Sequence, residues 1–146
     1  MQAEDTALDG KLRVLAAEDN DINQQVLRAV LGQVGLTPLI VANGREAVEA
    51  WEAGDWDIIQ MDIQMPEMDG VTATKTIRER ELVTGRKRTP ILALTANAMS
   101  HQAREYLLAG MDGLAPKPID IARLFQAMEQ VIAAPDSDDE DRAAAS

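Results

Sequence analysis

Short apolar runs alternate with amphipathic stretches along most of the chain, and the alternation predicts five strand–helix units. The apolar runs are 12–17, 38–42, 56–61, 91–95 and a weaker fifth, 113–116. Near-continuous apolar strands imply a sheet covered on both faces, as in parallel α/β folds. Helical patterning occupies 21–34, 44–53, 70–83, 98–109 and 119–132. The last is the clearest, with Ile121, Leu124, Phe125, Met128, Val131 and Ile132 on one stripe. Asn43 suits the cap of the second helix, with Glu46 three residues on as in a capping box. Gly35, Gly54, Gly85 and Gly110 fall where helices should stop. Trp51, Trp56 and Phe125 read as packing residues. Five such units in succession predict an α/β fold with a doubly wound parallel sheet.

Length and composition refine this picture. A chain of 146 residues fits one domain burying roughly two-thirds of its unfolded surface. Residues 1–10 read as a polar, disordered lead-in, 11–133 as the domain, and 134–146 as an acidic disordered tail. From Asp136 the tail holds five acids and one arginine, so −4 of the net −11 lies there and −7 elsewhere. That charge argues against direct nucleic-acid binding, which needs basic patches. The cluster Arg86-Lys87-Arg88 is expected to be a solvated loop. Zero cysteines suit a reducing cytoplasm. No signal-peptide core and no apolar run near ~18 residues is present, so no membrane contact is expected.

In doubly wound sheets ligands bind beyond the carboxyl ends of the strands. Strand one ends in Glu18-Asp19, strand three in Asp62, strand four in Thr95-Ala96 and strand five in Lys117. Any single aspartate at such a position is ordinarily a turn-former or a cap. Four strand ends bearing acids, a hydroxyl and an ammonium form a joint signal. Carboxylates packed together need a cation among them, or their pKa values rise. Oxygen-only ligands point to a hard ion, foremost Mg²⁺. The single histidine, His101, reads as a surface residue on the fourth helix. Mg²⁺ with a neighbouring lysine suits phosphoryl chemistry, and an aspartate can itself be the nucleophile.

The stretches "VLAAEDNDINQ", "IIQMDIQMPEMDG", "TPILALTANAM" and "GMDGLAPKP" together resemble the response-regulator receiver domain of two-component signalling, over roughly 11–133. The likeness is greatest to the C-terminal receivers of hybrid histidine kinases, with a stand-alone single-domain regulator as the alternative. The resemblance implies a (βα)5 flavodoxin-like fold with strand order 2-1-3-4-5. It implies that Asp62 is the phosphoacceptor in a phosphorelay, taking its group from a histidine kinase or a histidine phosphotransfer protein. Glu18, Asp19, Asp62 and the backbone carbonyl of Gln64 would hold Mg²⁺. Lys117 would pair with the carboxylate and then with a phosphoryl oxygen. Thr95 would bond the phosphoryl group and couple it to the fourth helix. The domain would catalyse only its own phosphorylation and slow dephosphorylation.

The family's partner face would offer Tyr106, Leu114 and Ile119 here, each with core packing as the alternative. Leu114 stands where receivers usually carry an aromatic residue, which puts that route of switching in doubt. Pro116 before Lys117 removes a donor, tolerable on an edge strand, and the order 2-1-3-4-5 makes the fifth strand an edge. The family also implies a cis Lys117-Pro118 bond. Two other classes stay open: a pseudo-receiver that binds partners without phosphorylation, and an aspartyl phosphohydrolase. Haloacid-dehalogenase-like enzymes carry an acid where Gln64 stands, and a flavin-binding reading is weaker still.

Overall fold

The computed structural model describes residues 12–96 and 102–133. Five parallel strands, β1 (Val14–Ala17), β2 (Leu39–Val41), β3 (Ile58–Asp62), β4 (Ile91–Thr95) and β5 (Gly113–Pro116), form one sheet in the order β2-β1-β3-β4-β5. They alternate with α1 (Asp21–Gly32), α2 (Gly44–Ala53), α3 (Gly70–Thr84), α4 (Gln102–Leu108) and α5 (Ile121–Ala133). Every residue of β1, β3 and β4 is buried, because helices cover both faces. The two-residue period of a strand divides their side chains between two cores. Leu15, Ile59, Met61, Ile91 and Ala93 pack with Trp51 of α2, Ile77 of α3 and Tyr106 of α4. Val14, Ala16, Ile58, Leu92 and Leu94 pack with Leu27 and Leu31 of α1 and with Leu124 and Met128 of α5.

The expected fold class, strand number and order are all present. Boundaries differ by one or two residues where apolar runs continue past the hydrogen-bonded ladder. β1 starts at Val14 instead of residue 12, and β3 runs through Asp62 itself. α1 ends at Gly32, two residues short of expectation, with Gln33 as its cap. The Asn43 cap is made: its Oδ1 accepts from Glu46 N at 2.8 Å. Glu46 Oε1 in turn accepts from Ala42 N at 2.8 Å, closing the box one residue earlier than usual. Both tryptophans pack. Trp51 is buried and donates to Thr89 Oγ1 at 3.0 Å, and half-buried Trp56 donates to Ala50 O at 3.0 Å. Phe125 is partly buried against the α1/α5 core. Pro116 ends β5, an edge strand, as its missing N–H requires.

Arg86-Lys87-Arg88 lies in a loop with Lys87 exposed, as expected, but the other two side chains are fastened to the fold. Arg86 donates to the carbonyls of Trp51 and Gly54 at 2.9 and 2.8 Å and lies over the Trp51 ring at 4.0 Å. Arg88 pairs with Asp112 at 2.7 Å. Guanidinium groups are suited to this because their planar forks satisfy several acceptors at once and stack on aromatic faces. The expectations for residues 1–11, for His101 with the 98–101 start of the fourth helix, and for 134–146 lie outside the described residues. Among the described residues no helix is long and apolar enough to cross a membrane.

Candidate functional site

The strand ends gather the acids. Glu18 directly follows β1 and is fully buried, while Asp19 beside it is exposed. One oxygen of Glu18 is fixed by its local sequence: Oε2 accepts from Asn20 N at 3.1 Å and Asn23 Nδ2 at 3.4 Å. Gln24 Nε2 donates to the Glu18 carbonyl at 2.6 Å, and Asn20 Oδ1 caps α1 by accepting from Asn23 N. The other carboxylate oxygen, Oε1, lies 3.3 Å from Lys117 Nζ, an ion-pair contact without hydrogen-bond geometry. Asp62, the last residue of β3, is 5% exposed. Its Oδ1 accepts from Lys117 Nζ at 2.9 Å. Lys117 follows β5, its backbone N–H donates to Thr95 O at 3.0 Å, and the Lys117-Pro118 bond is cis.

The loop over Asp62 is held by two glycines. Gly70 N donates to Ile63 O at 2.8 Å, and a Cβ on Gly70 would stand 2.1 Å from the Asp62 carbonyl oxygen. Only glycine lets α3 begin that close to the strand end. Gly44 N likewise donates to Met68 O at 2.9 Å, and a Cβ there would meet the same oxygen at 2.4 Å. Asp69 caps α3 by accepting from Thr72 N at 2.8 Å. The turn between these anchors holds Glu67 at φ 64°, a left-handed conformation uncommon outside glycine. A carboxylate at the end of a buried strand is thus framed by a rigid turn.

Charge at this site is unbalanced. Oxygens of Glu18, Asp19 and Asp62 lie within 4.8 Å of one another, and Lys117 is the cation they share. Burial pushes the Asp62 carboxyl up to about 6; the Lys117 hydrogen bond opposes that rise, while the charges of Glu18 and Asp19 add to it. For Lys117 burial alone would lower the pKa, but its bonds and attraction to Asp62 and Glu18 prevail and raise it. An oxygen-only set with a deficit of positive charge fits a hard divalent cation. The cluster opens on a cleft of about 640 Å³ lined by Asp19, Asp62, Gln64, Thr95, Tyr106 and Lys117. Such a cleft admits an anion bridged to the acids by a metal, or paired with the lysine.

Glu18, Asp19, Asp62, Gln64, Thr95 and Lys117 therefore come together at one rim. Tyr106 and Leu114 do not form an exposed face. Tyr106 is 6% exposed and lines the cleft, and Leu114 is half-buried against the same core. The register of α4 turns Tyr106 inward and leaves Leu107 and Leu108 outward, 46% and 80% exposed. Ile119 is likewise partly buried, against the other core. Sequence reasoning gave no role to Asn20, Asn23 and Gln24. Their signal was the polar run directly after an acidic pair, where a strand must hand over to a helix.

The sequence signature described as the response regulator receiver domain matches residues 14–129. Rice (Oryza sativa subsp. indica) probable histidine kinase 1 is 36% identical over 150 residues, covering 84% of this chain and 16% of its own length. This chain thus spans a small part of that relative. The receiver domain of Saccharomyces cerevisiae Ssk1, solved with the histidine phosphotransfer protein Ypd1, is similar with TM-score 0.78 and 32% identity, covering 86% of this chain and 91% of that one. The receiver domain of Pseudomonas aeruginosa sensor histidine kinase PA1611, solved with a magnesium ion in its active-site cleft, has TM-score 0.74 and 39% identity, covering 84% and 98%.

Proposed function

Because this chain belongs to the response-regulator receiver family, we propose that it serves a phosphorelay by accepting a phosphoryl group on Asp62. An Asp62 carboxylate oxygen attacks the phosphorus of a phosphohistidine. The new O–P bond forms as the N–P bond breaks, and the donor's imidazole, already protonated on its other nitrogen, leaves as a neutral ring. The rigid turn held by Gly44 and Gly70 keeps Asp62 aimed at the cleft, so little orientation is lost at the moment of attack. Lys117, 2.9 Å from Asp62 Oδ1, neutralises the carboxylate before transfer and a phosphoryl oxygen after it. Thr95, on the neighbouring strand, offers a hydroxyl to the same group. Glu18, Asp19, Asp62 and the carbonyl of Gln64 would hold Mg²⁺, which when bound supplies positive charge to the phosphoryl oxygens.

The observation that carries this reading is the charge deficit. Three carboxylates converge within 4.8 Å at the mouth of a cleft, with one lysine among them. A cluster built for stability would not leave that imbalance. The donor is a histidine kinase or a histidine phosphotransfer protein; the Ssk1 receiver, similar to this chain, was solved with one of the latter. We place the domain in a hybrid histidine kinase facing the cytoplasm; the rice relative, matched over 16% of its own length, is by name a probable histidine kinase. Tyr106 and Leu114, packed in one core beside Thr95, would carry occupancy of the cleft to the exposed leucines of α4. Acetyl phosphate with Mg²⁺ should add the mass of one phosphoryl group. Asp62→Asn, or chelation of the metal, should prevent the gain. A chain that gains no mass with acetyl phosphate or with any candidate phosphohistidine donor would be a pseudo-receiver.

A further inference from the structure

Helix α4 sits on the fold more lightly than its neighbours. α1 buries Leu27 and Leu31, α2 buries Ala47, Val48 and Trp51, and α3 buries Ala73 and Ile77. In α4 Tyr106 is buried and Ala103 half-buried, while Arg104, Glu105, Leu107 and Leu108 are exposed. One ring therefore holds α4 against the sheet, and elements with so little buried apolar surface are the first to move. That ring also belongs to the functional cleft, whose wall Tyr106 shares with Met65, Pro66 and Thr95.

The turn that follows α4 is fastened far more firmly. Gly110 O accepts from Arg78 Nε at 2.9 Å and from Arg88 Nη2 at 3.2 Å. The Asp112 carboxylate holds the same two guanidiniums and accepts from Ile91 N at 2.9 Å. Asp112 N donates in turn to Ile91 O at 2.8 Å. Arg78 passes so close that a Cβ on Gly110 would stand 2.8 Å from its Cγ. Gly110, at φ 117°, adopts a backbone conformation that favours glycine, and Met111 beside it is buried. Arg78 comes from α3 and Arg88 from the segment leading into β4, so anchored elements grip the turn.

An anion drawn to Asp62 and Thr95 changes what the Tyr106 ring packs against, in the middle of a helix clamped at its carboxyl-terminal end. We propose that α4 turns as a lever about the clamp of Arg78, Arg88 and Asp112, with Tyr106 as the arm that the occupant of the cleft displaces. The inference rests on the phosphoacceptor reading of Asp62, since that occupant is the phosphoryl group. A lever moves its parts in proportion to their distance from the fulcrum. At a rise of about 1.5 Å per residue, Arg104 stands about 9 Å along the axis from Gly110 and Leu108 about 3 Å. Arg104 and Glu105 therefore travel furthest and Leu108 least. A partner that reads the phosphorylated state meets a changed arrangement of charge against apolar surface on one helix.

With no native cysteine, nitroxide pairs can be placed in the full-length chain. Arg104→Cys or Leu108→Cys is combined with Arg28→Cys in α1 and, separately, with Glu49→Cys in α2, all at exposed positions. Distances by double electron–electron resonance are compared before and after acetyl phosphate with Mg²⁺, and the mass gain confirms occupancy. The Arg104→Cys distances should change at least twofold more than the Leu108→Cys distances. Arg88→Gln removes one of the clamp's two guanidiniums; the two labels should then shift alike while the mass gain persists. Fluorotyrosine at the single tyrosine, Tyr106, should give a fluorine resonance that shifts on phosphorylation. Equal changes at both labels with the clamp intact, no change at either, or a ratio untouched by Arg88→Gln would overturn the lever and leave the receiver assignment standing. A phosphorylated chain with an unmoved fluorine resonance would overturn Tyr106 as the arm. Absence of the mass gain would remove the phosphoacceptor reading, and this inference with it.

Discussion

Both ends of the sheet gather acids, and they differ in how the charge is met. Where β4 and β5 begin, Glu81 and Asp112 face Arg78 and Arg88, two acids against two guanidiniums. Each carboxylate oxygen there has a donor. Asp112 Oδ1 takes Arg88 at 2.7 Å and Oδ2 takes Arg78 at 2.8 Å and Ile91 N at 2.9 Å. Glu81 Oε1 takes Arg78 at 2.9 Å and Oε2 takes Thr89 N at 2.8 Å. At the strands' carboxyl ends three acids share one lysine, and Glu18 Oε1 has no hydrogen bond. The balanced cluster joins α3, β4 and the turn before β5. The unbalanced one keeps electrostatic demand that only a bound cation relieves.

The largest effect should come from breaking the balance. Asp112→Ala leaves Arg78 and Arg88 without their shared carboxylate and Ile91 N without an acceptor. Loss of one partner from such a buried cluster costs about 3–5 kcal/mol, measurable as a fall in the urea midpoint at unchanged slope. A loss below about 1 kcal/mol would show that the cluster's balance contributes little. Gly70→Ala comes next. Its Cβ would stand 2.1 Å from Asp62 O, backbone that cannot swing aside, so about 2–3 kcal/mol of overpacking is expected. Mg²⁺ affinity by calorimetry should fall with it, although no ligand is removed. A stable Gly70→Ala protein with unchanged affinity would show that the turn does not aim Asp62.

These two sites also differ in how far they could be read beforehand. Fold and strand ends were legible because five apolar runs fix the sheet, and a parallel sheet aligns its carboxyl ends automatically. Glu18, Asp62, Thr95 and Lys117 could therefore be brought together without any contact being known. The balanced cluster was not legible. Arg78 and Glu81 look like an ordinary surface pair three residues apart, and Asp112 like a turn residue. Their union depends on the depth at which α3 packs, which no local pattern encodes. Tyr106 was set on the partner face by the family likeness, with core packing as the alternative, and it is the alternative that its 6% exposure matches.

Removing charge at the other end should act in the opposite direction. Asp62 titrates near 6 in the fold, above its ordinary 3.8, so its ionised form is disfavoured by folding. Its contribution falls as pH rises from about 4 to about 6, by at most about 3 kcal/mol, and is level above that. Asp62→Asn removes this loss while leaving Lys117 its contact with Glu18. The metal-free variant should match the native chain at pH 4 and exceed it by about 1–2 kcal/mol at pH 7.5. Adding Mg²⁺ should stabilise the native chain far more than the variant. The same titration predicts that Mg²⁺ affinity weakens as pH falls below about 6, up to about tenfold per unit, because the proton and the metal compete for Asp62. A variant less stable than the native chain at every pH would overturn the charge-deficit account.

The smallest effect tests whether the deficit is also a matter of aim. Asn23 Nδ2 reaches Glu18 Oε2 at 3.4 Å, a long bond, while Asn20 N holds the same oxygen at 3.1 Å. Asn23→Ala keeps the cap of α1, since the bond to Asn20 Oδ1 comes from the backbone. Stability should therefore change by less than about 0.5 kcal/mol. Glu18, however, loses one of the two donors that hold Oε2 and so fix where Oε1 lies. Residues that orient a ligand commonly cost tenfold or more in metal affinity; with the second donor retained, about threefold is expected. In the balanced cluster a comparable loss would register as stability, because its carboxylate oxygens are met by donors of the fold itself. Here it should register as affinity, and a variant that loses stability while binding Mg²⁺ unchanged would show that both clusters serve the fold alone.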